Sequence, residues 1–90
     1  MADMIVEYRI MPKNGEVEYE ELEKVVKETV SNYDDELEIR FIESRNVGFG
    51  LKALIINFKV NENKGSEDLE NQLNELDLVG DVIVELMDRL

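Results

Sequence analysis

The stretch Val47-Gly48-Phe49-Gly50-Leu51-Lys52-Ala53-Leu54-Ile55-Ile56-Asn57-Phe58-Lys59-Val60 decides the fold. From Leu51 to Val60 it is nearly all apolar, which predicts a strand at the centre of a sheet, covered on both faces. At its head, Phe49 lies between two glycines, residues that accept backbone angles and close approaches forbidden to a side chain. The G-F-G therefore presents Phe49 at a sheet margin with little steric cover. Two readings follow: a core anchor beside a kinked strand start, or an exposed aromatic that meets a partner.

On the N-terminal side, Met4, Val6, Tyr8 and Ile10 alternate with Ile5, Glu7, Arg9 and Met11, the period of a strand with one well-buried face. Pro12 ends it by removing a ladder donor, and Lys13-Asn14-Gly15 make a turn. Between Glu18 and Tyr33 the residues Tyr19, Leu22, Val25, Val26, Val30 and Tyr33 recur at steps of three and four, predicting an amphipathic helix. Glu18, Glu20 and Glu21 fall in its first turn, where carboxylates oppose the positive end of the helix dipole. Leu37, Ile39 and Phe41 alternate with Glu38, Arg40 and Ile42 as a second strand, and Glu43 to Asn46 read as a link into Gly48.

On the C-terminal side, Asn61 to Gly65 form a polar turn and Ser66 is placed to cap a second helix with its hydroxyl. Leu69, Leu73 and Leu76 mark the buried stripe of that helix. After an exit through Asp77 to Asp81, Val82, Val84 and Leu86 alternate with Ile83, Glu85 and Met87 as a fourth strand. The order β-α-β-β-α-β predicts a ferredoxin-like α+β sandwich: four antiparallel strands with both helices on one face. Right-handed crossovers put the first and third strands in the centre, in agreement with the apolarity of the third.

Ninety residues predict one domain over 1–90 with a small core. The chain has no histidine and no cysteine, so neither a thiol–imidazole pair nor a His/Cys metal site can be assembled, and no disulfide forms. Its carboxylates lie on solvated faces without an apolar pocket that would raise one pKa for paired-acid catalysis. Bond-making chemistry is therefore not expected, and neither a metal nor a cofactor is expected. A net charge of −12 opposes nucleic acid and anionic membranes and favours a partner with a basic face. No run of apolar residues is long enough to span a bilayer and the start lacks the features of a signal peptide, so the cytosol is the expected compartment.

G-F-G also occurs on the third strand of RNA-recognition motifs, which stack bases on neighbouring aromatics. Here the basic lead position is Val47 and the further aromatic positions are Leu51 and Leu54, so the stacking platform is missing. A different resemblance covers the whole chain. An opening strand ends in Met11-Pro12, an acidic helix follows around Tyr19 to Lys24, and G-F-G-L-x-x-L then heads the third strand. Gly65-Ser66-Glu67-Asp68 opens a second helix, and the last strand ends at the basic-apolar pair Arg89-Leu90. In this order the chain resembles the guanine-nucleotide exchange domain of translation elongation factor 1-beta, in particular its small archaeal form.

That resemblance implies release of GDP from elongation factor 1-alpha, a GTPase, through tighter binding of its nucleotide-free state. It implies that Gly48, Phe49 and Gly50 meet the partner, with Arg45 and Lys52 as nearby cations. It places Arg89 where eukaryotic relatives carry a penultimate lysine thought to reach toward the magnesium site, with Leu90 following. Arginine is bulkier and permanently charged, so lysine-like insertion is not implied. No oligomer is implied, and a monomer is favoured. The alternative from another class is a ferredoxin-like regulatory module that binds a small molecule. A further alternative is a subunit that docks another protein without exchange activity.

Overall fold

The computed structural model describes residues 2–90, and its elements follow the predicted order. They are β1 (Asp3–Pro12), α1 (Tyr19–Ser31), β2 (Glu38–Gly48), β3 (Leu51–Asn61), α2 (Glu67–Asn74) and β4 (Val79–Arg89). The strands form one antiparallel sheet in the order β2-β3-β1-β4, so β1 and β3 are central, as right-handed crossovers require. This is the ferredoxin-like α+β arrangement.

Alternation decides which side each residue takes. Met4, Val6, Tyr8 and Ile10 of β1 and Leu54, Ile56, Phe58 and Val60 of β3 join the core under the helices. Leu22, Val26 and Val30 of α1 and Leu69 and Leu73 of α2 close it from above. Tyr8 ties the layers together. It is fully buried, its ring meets Phe58 edge-on at 5.5 Å, and its hydroxyl donates to the Ser66 carbonyl at 3.1 Å. Tyr33, just past α1, donates to the adjacent Gly65 carbonyl at 3.2 Å. Two tyrosines thus hold the loop that starts α2.

The structure differs from the sequence reading in three places. Ser66 makes no side-chain cap; it is buried, and its carbonyl accepts from Tyr8 and from the Glu70 amide. Glu43 to Asn46 are not a link but the outer half of β2, because β3 offers them partners as far as Lys52. Gly80 lies within β4 rather than before it. A Cβ there would stand 2.7 Å from the Pro12 carbonyl oxygen, so only glycine allows the two chains to meet at this irregular register.

The edge strands also carry bulges. In β2, Ile39 pairs with Phe58 but Phe41 with Asn57, leaving Arg40 as the extra residue. In β4, Val84 pairs with Tyr8 but Leu86 with Glu7, leaving Glu85 as the extra residue. Each bulge reverses the alternation beyond it. Ile42 thereby turns to the core side, and Phe41 and Leu86 turn to the face without helices.

Burial pushes the Tyr8 hydroxyl up to about 12 from its ordinary 10.0; burial and then the neighbouring Glu23 carboxylate do the same to Tyr19. The unfolded chain loses these protons near 10, where the folded chain still keeps them. Stability should therefore be level through neutral pH and fall between pH 10 and about 12. Tyr8→Phe should cost about 1 kcal/mol at pH 7 by removing one buried hydrogen bond. It should also flatten the alkaline decline, and urea unfolding across this pH range reads both effects.

Candidate interface at the sheet ends

The β2–β3 hairpin closes through only two residues, Phe49 and Gly50, because Gly48 and Leu51 are already paired. Phe49 has φ +55° and Gly50 φ +74°, the positive angles at both central positions that define type I′ turns. Such turns favour Asn-Gly because few other residues with a Cβ accept the first position. A phenylalanine in this region costs of order 1–3 kcal/mol. Its ring recovers nothing from the core, being 102% exposed. The open alternative between core anchor and exposed aromatic is thereby resolved: Phe49 stands clear of the fold. Gly48, at φ +94°, and Gly50 supply the angles that put it there.

Lys52 is exposed on the helix side of β3 and borders a groove of about 260 Å³ with Pro12, Tyr19 and Leu51. Arg45 lies on β2 opposite Ala53, on the other side of the sheet, and its guanidinium is 3.4 Å from Glu43. The two cations thus flank the hairpin on opposite faces and do not converge.

Arg89 and Leu90 occupy the other end of the molecule. Arg89 pairs with Met4 in the ladder and the Leu90 amide donates to the Asp3 carbonyl at 2.9 Å. The Arg89 side chain is 78% exposed and meets Glu62 at 2.9 Å; Leu90 is exposed beside it. The hairpin tip and this terminus sit at diagonal corners of the sheet, separated by the length of β3, about 35 Å at the usual strand rise. They are two separate exposed ends, not one site.

A larger groove, of about 740 Å³, lies open between β4 and the start of α2, lined by Met4, Lys64, Asp68, Glu70 and Met87 among others. It is wide and bordered by carboxylates. Among the described residues, no three His, Cys, Asp or Glu side chains are grouped to hold a metal ion, and no helix is long and apolar enough to cross a membrane.

Fold and surface together define a ferredoxin-like sandwich that displays apolar side chains at the ends of its sheet. Residues 5–90 match the family described as "EF-1 guanine nucleotide exchange domain". Curated relatives named "Elongation factor 1-beta" include one from Caldivirga maquilingensis, 30% identical over 100% of this chain and 98% of that protein. Another, from Methanosphaera stadtmanae, is 34% identical over 100% and 99%, and one from Methanocaldococcus jannaschii is 34% identical over 91% of each. The de novo designed protein Foldit4 shares the fold, with a TM-score of 0.65 at 21% identity over 98% of this chain and 96% of that one. The chain belongs to the EF-1 guanine nucleotide exchange domain family and is a translation elongation factor with nucleotide-exchange function.

The geometry at Phe49 has a measurable consequence for stability. Phe49→Asn should raise it by about 1 kcal/mol, because Asn-Gly suits this turn. That corresponds to a rise of about 4–8 °C in Tm for a domain of this size. Phe49→Ala keeps a Cβ at the same positive φ and should leave Tm nearly unchanged. Thermal melts followed by circular dichroism compare the three proteins.

Proposed function

We propose that this chain is a single exchange domain that accelerates GDP release from elongation factor 1-alpha, and that it does so by binding alone. The observation that carries this reading is Phe49. A fully exposed ring held at a strained backbone angle lowers the stability of the free domain, and a local conflict of that kind belongs to a contact surface. Family membership supplies the nature of the partner, a GTPase elongation factor.

In this mechanism the domain forms or breaks no covalent bond. It binds the nucleotide-free GTPase more tightly than the GDP-loaded one, and this difference in affinity is the whole of its effect. Phe49 inserts into an apolar site on one part of the partner, with Gly48 and Gly50 allowing close backbone approach. Arg89 and Leu90 engage another part near the nucleotide, some 35 Å away by strand length. Arg45 and Lys52 add exposed charge pairs, each contributing about 0–1 kcal/mol. The domain acts as a monomer and makes no direct contact with nucleic acid, consistent with its charge of −12. A small-molecule regulatory role gains no support from the broad, carboxylate-bordered groove beside α2.

Release of labelled GDP from the purified GTPase, with and without this domain, tests the reading; no acceleration refutes it. Phe49→Ala should slow catalysed release by roughly 30-fold, the loss of about 2 kcal/mol typical of a buried aromatic anchor. Removing Arg89 and Leu90 should lower the maximal exchange rate more than it weakens binding. Equal loss of both would reduce the tail to an affinity element.

A further inference from the structure

We infer that Glu62 is a positioning residue for exchange: it sets the direction of the Arg89 guanidinium and acts on the partner through it. This rests on the exchange reading, in which Arg89 and Leu90 engage the GTPase near its nucleotide. It adds a residue whose sequence context reads only as part of a polar turn.

Both members of the pair stand on fixed backbone. Arg89 is paired in the ladder opposite Met4, and the next amide, that of Leu90, donates to the Asp3 carbonyl at 2.9 Å. Glu62 follows the last residue of β3, and its amide donates to the Ala2 carbonyl at 3.0 Å. The turn around it is tied at its start, where the Asn61 carbonyl accepts from the Lys64 and Gly65 amides at 3.1 Å and the Asn61 side chain accepts from the Asn63 amide at 2.8 Å. Its far end hangs on Tyr33 and Tyr8 through the Gly65 and Ser66 carbonyls. The Glu62 carboxylate therefore starts from a backbone held on both sides.

Alternation explains why the arginine meets this carboxylate and not one nearer in the chain. Arg89 shares the helix side of the sheet with Met4, whereas Asp88 and Asp3 fall on the other side. Asp3 is moreover drawn to Lys59, at 4.0 Å. The pair of Arg89 with Glu62, 2.9 Å between Nη2 and Oε1, instead bridges from β4 to the end of β3. That is two strand spacings, about 10 Å, across the start of β1. The guanidinium is thus directed sideways across the end of the sheet and does not trail off with the chain.

The two members differ in exposure, and the difference gives each its part. The Glu62 side chain is 28% exposed and the Arg89 side chain 78%. The sheltered carboxylate is the anchor and the open guanidinium is the group presented. A guanidinium is a rigid planar fork, so holding one nitrogen orients the whole group while the others stay open to an acceptor on the partner. Without the anchor, a long side chain at a strand end samples many directions, and binding must give up that freedom. The Arg45–Glu43 pair shows the contrast: it is longer, at 3.4 Å, and open on both sides, so neither member anchors the other.

A double-mutant cycle on GDP release tests this, with the full chain and the purified GTPase, reading the maximal rate separately from the domain concentration at half-saturation. Glu62→Ala should lower the maximal rate about 3-fold, on the scale at which an exposed ion pair biases a side chain, and move half-saturation by less than about 2-fold. Glu62→Gln keeps an acceptor oxygen without the charge and should fall between Glu62→Ala and wild type. In an Arg89→Ala background, Glu62→Ala should change nothing further. No effect of Glu62→Ala in the wild-type background, or its full effect in the Arg89→Ala background, overturns the inference while wild-type exchange stands. Absence of wild-type exchange overturns the functional reading itself. If Glu62→Ala loses its folded spectrum, the same cycle is run with Glu62→Gln, and NMR relaxation of the Arg89 Nε–H group gives an answer independent of exchange. That group should be restrained in the wild type and looser in Glu62→Gln; equal mobility in the two overturns the proposal.

Discussion

The fold depends on Tyr8. It pairs with Ile56 on one side and Val84 on the other, and so sits where both central ladders cross. Its ring packs on Phe58 and its hydroxyl reaches the Ser66 carbonyl, so one side chain fixes strand register, core packing and the start of α2 together. A slip of one residue in β1 would exchange the buried set Met4, Val6, Tyr8 and Ile10 for a set containing Glu7 and Arg9. No such register can bury a core. At the same point the Ser66 carbonyl accepts from both the tyrosine and the Glu70 amide, and Glu67, Asp68 and Glu70 answer the helix dipole.

The parts of this architecture that depend on local period were legible in the sequence. Alternation in β1, the three-four spacing in α1 and the apolar run of β3 each report which side of an element meets the core, and the β-α-β-β-α-β order followed from them. Features set by a partner strand were not legible. Nothing in Ile39-Arg40-Phe41 announces a bulge, because the extra residue is created by the pairing of β2 with β3. For the same reason Glu43 to Asn46 read as a link: exposed and polar on both sides, they are strand only because β3 extends beside them. The candidate residues divide in the same way. Phe49 was visible as a ring between glycines, and its positive φ follows from a two-residue turn that only the hairpin register reveals. The exposure of Phe41 and Leu86 stayed hidden because alternation grouped Phe41 with Ile39 and Leu86 with Val82 and Val84.

Where the chain departs from what stability alone would select, the departures lie outside the helices. A bulky aromatic occupies a turn position suited to asparagine, two bulges expose apolar residues, and β4 beyond Val82 is exposed on nearly every residue. All belong to the sheet layer. The helices, by contrast, keep apolar stripes inward and acids in the first turn. Natural sequences relax local consistency mainly where binding requires it. Here the consistent layer supplies the stability that the inconsistent one spends.

The separation of the two proposed end contacts bears on how binding alone can drive exchange. A partner that fits equally well with and without nucleotide gains nothing from the domain, however tight the complex. Contacts at one end add affinity to both states. Contacts at two ends fixed on the same stiff sheet are different, because they demand one particular spacing of the surfaces they touch. A GTPase whose parts move relative to each other on nucleotide loss satisfies both ends in one state only. In that picture the anchor at Phe49 supplies grip and the terminus at Arg89–Leu90 supplies discrimination. The antiparallel sheet between them, with Tyr8 at its crossing point, keeps the distance from adjusting. A flexible linker of equal length would carry the same two contacts and lose the discrimination, since it would follow the partner into either state.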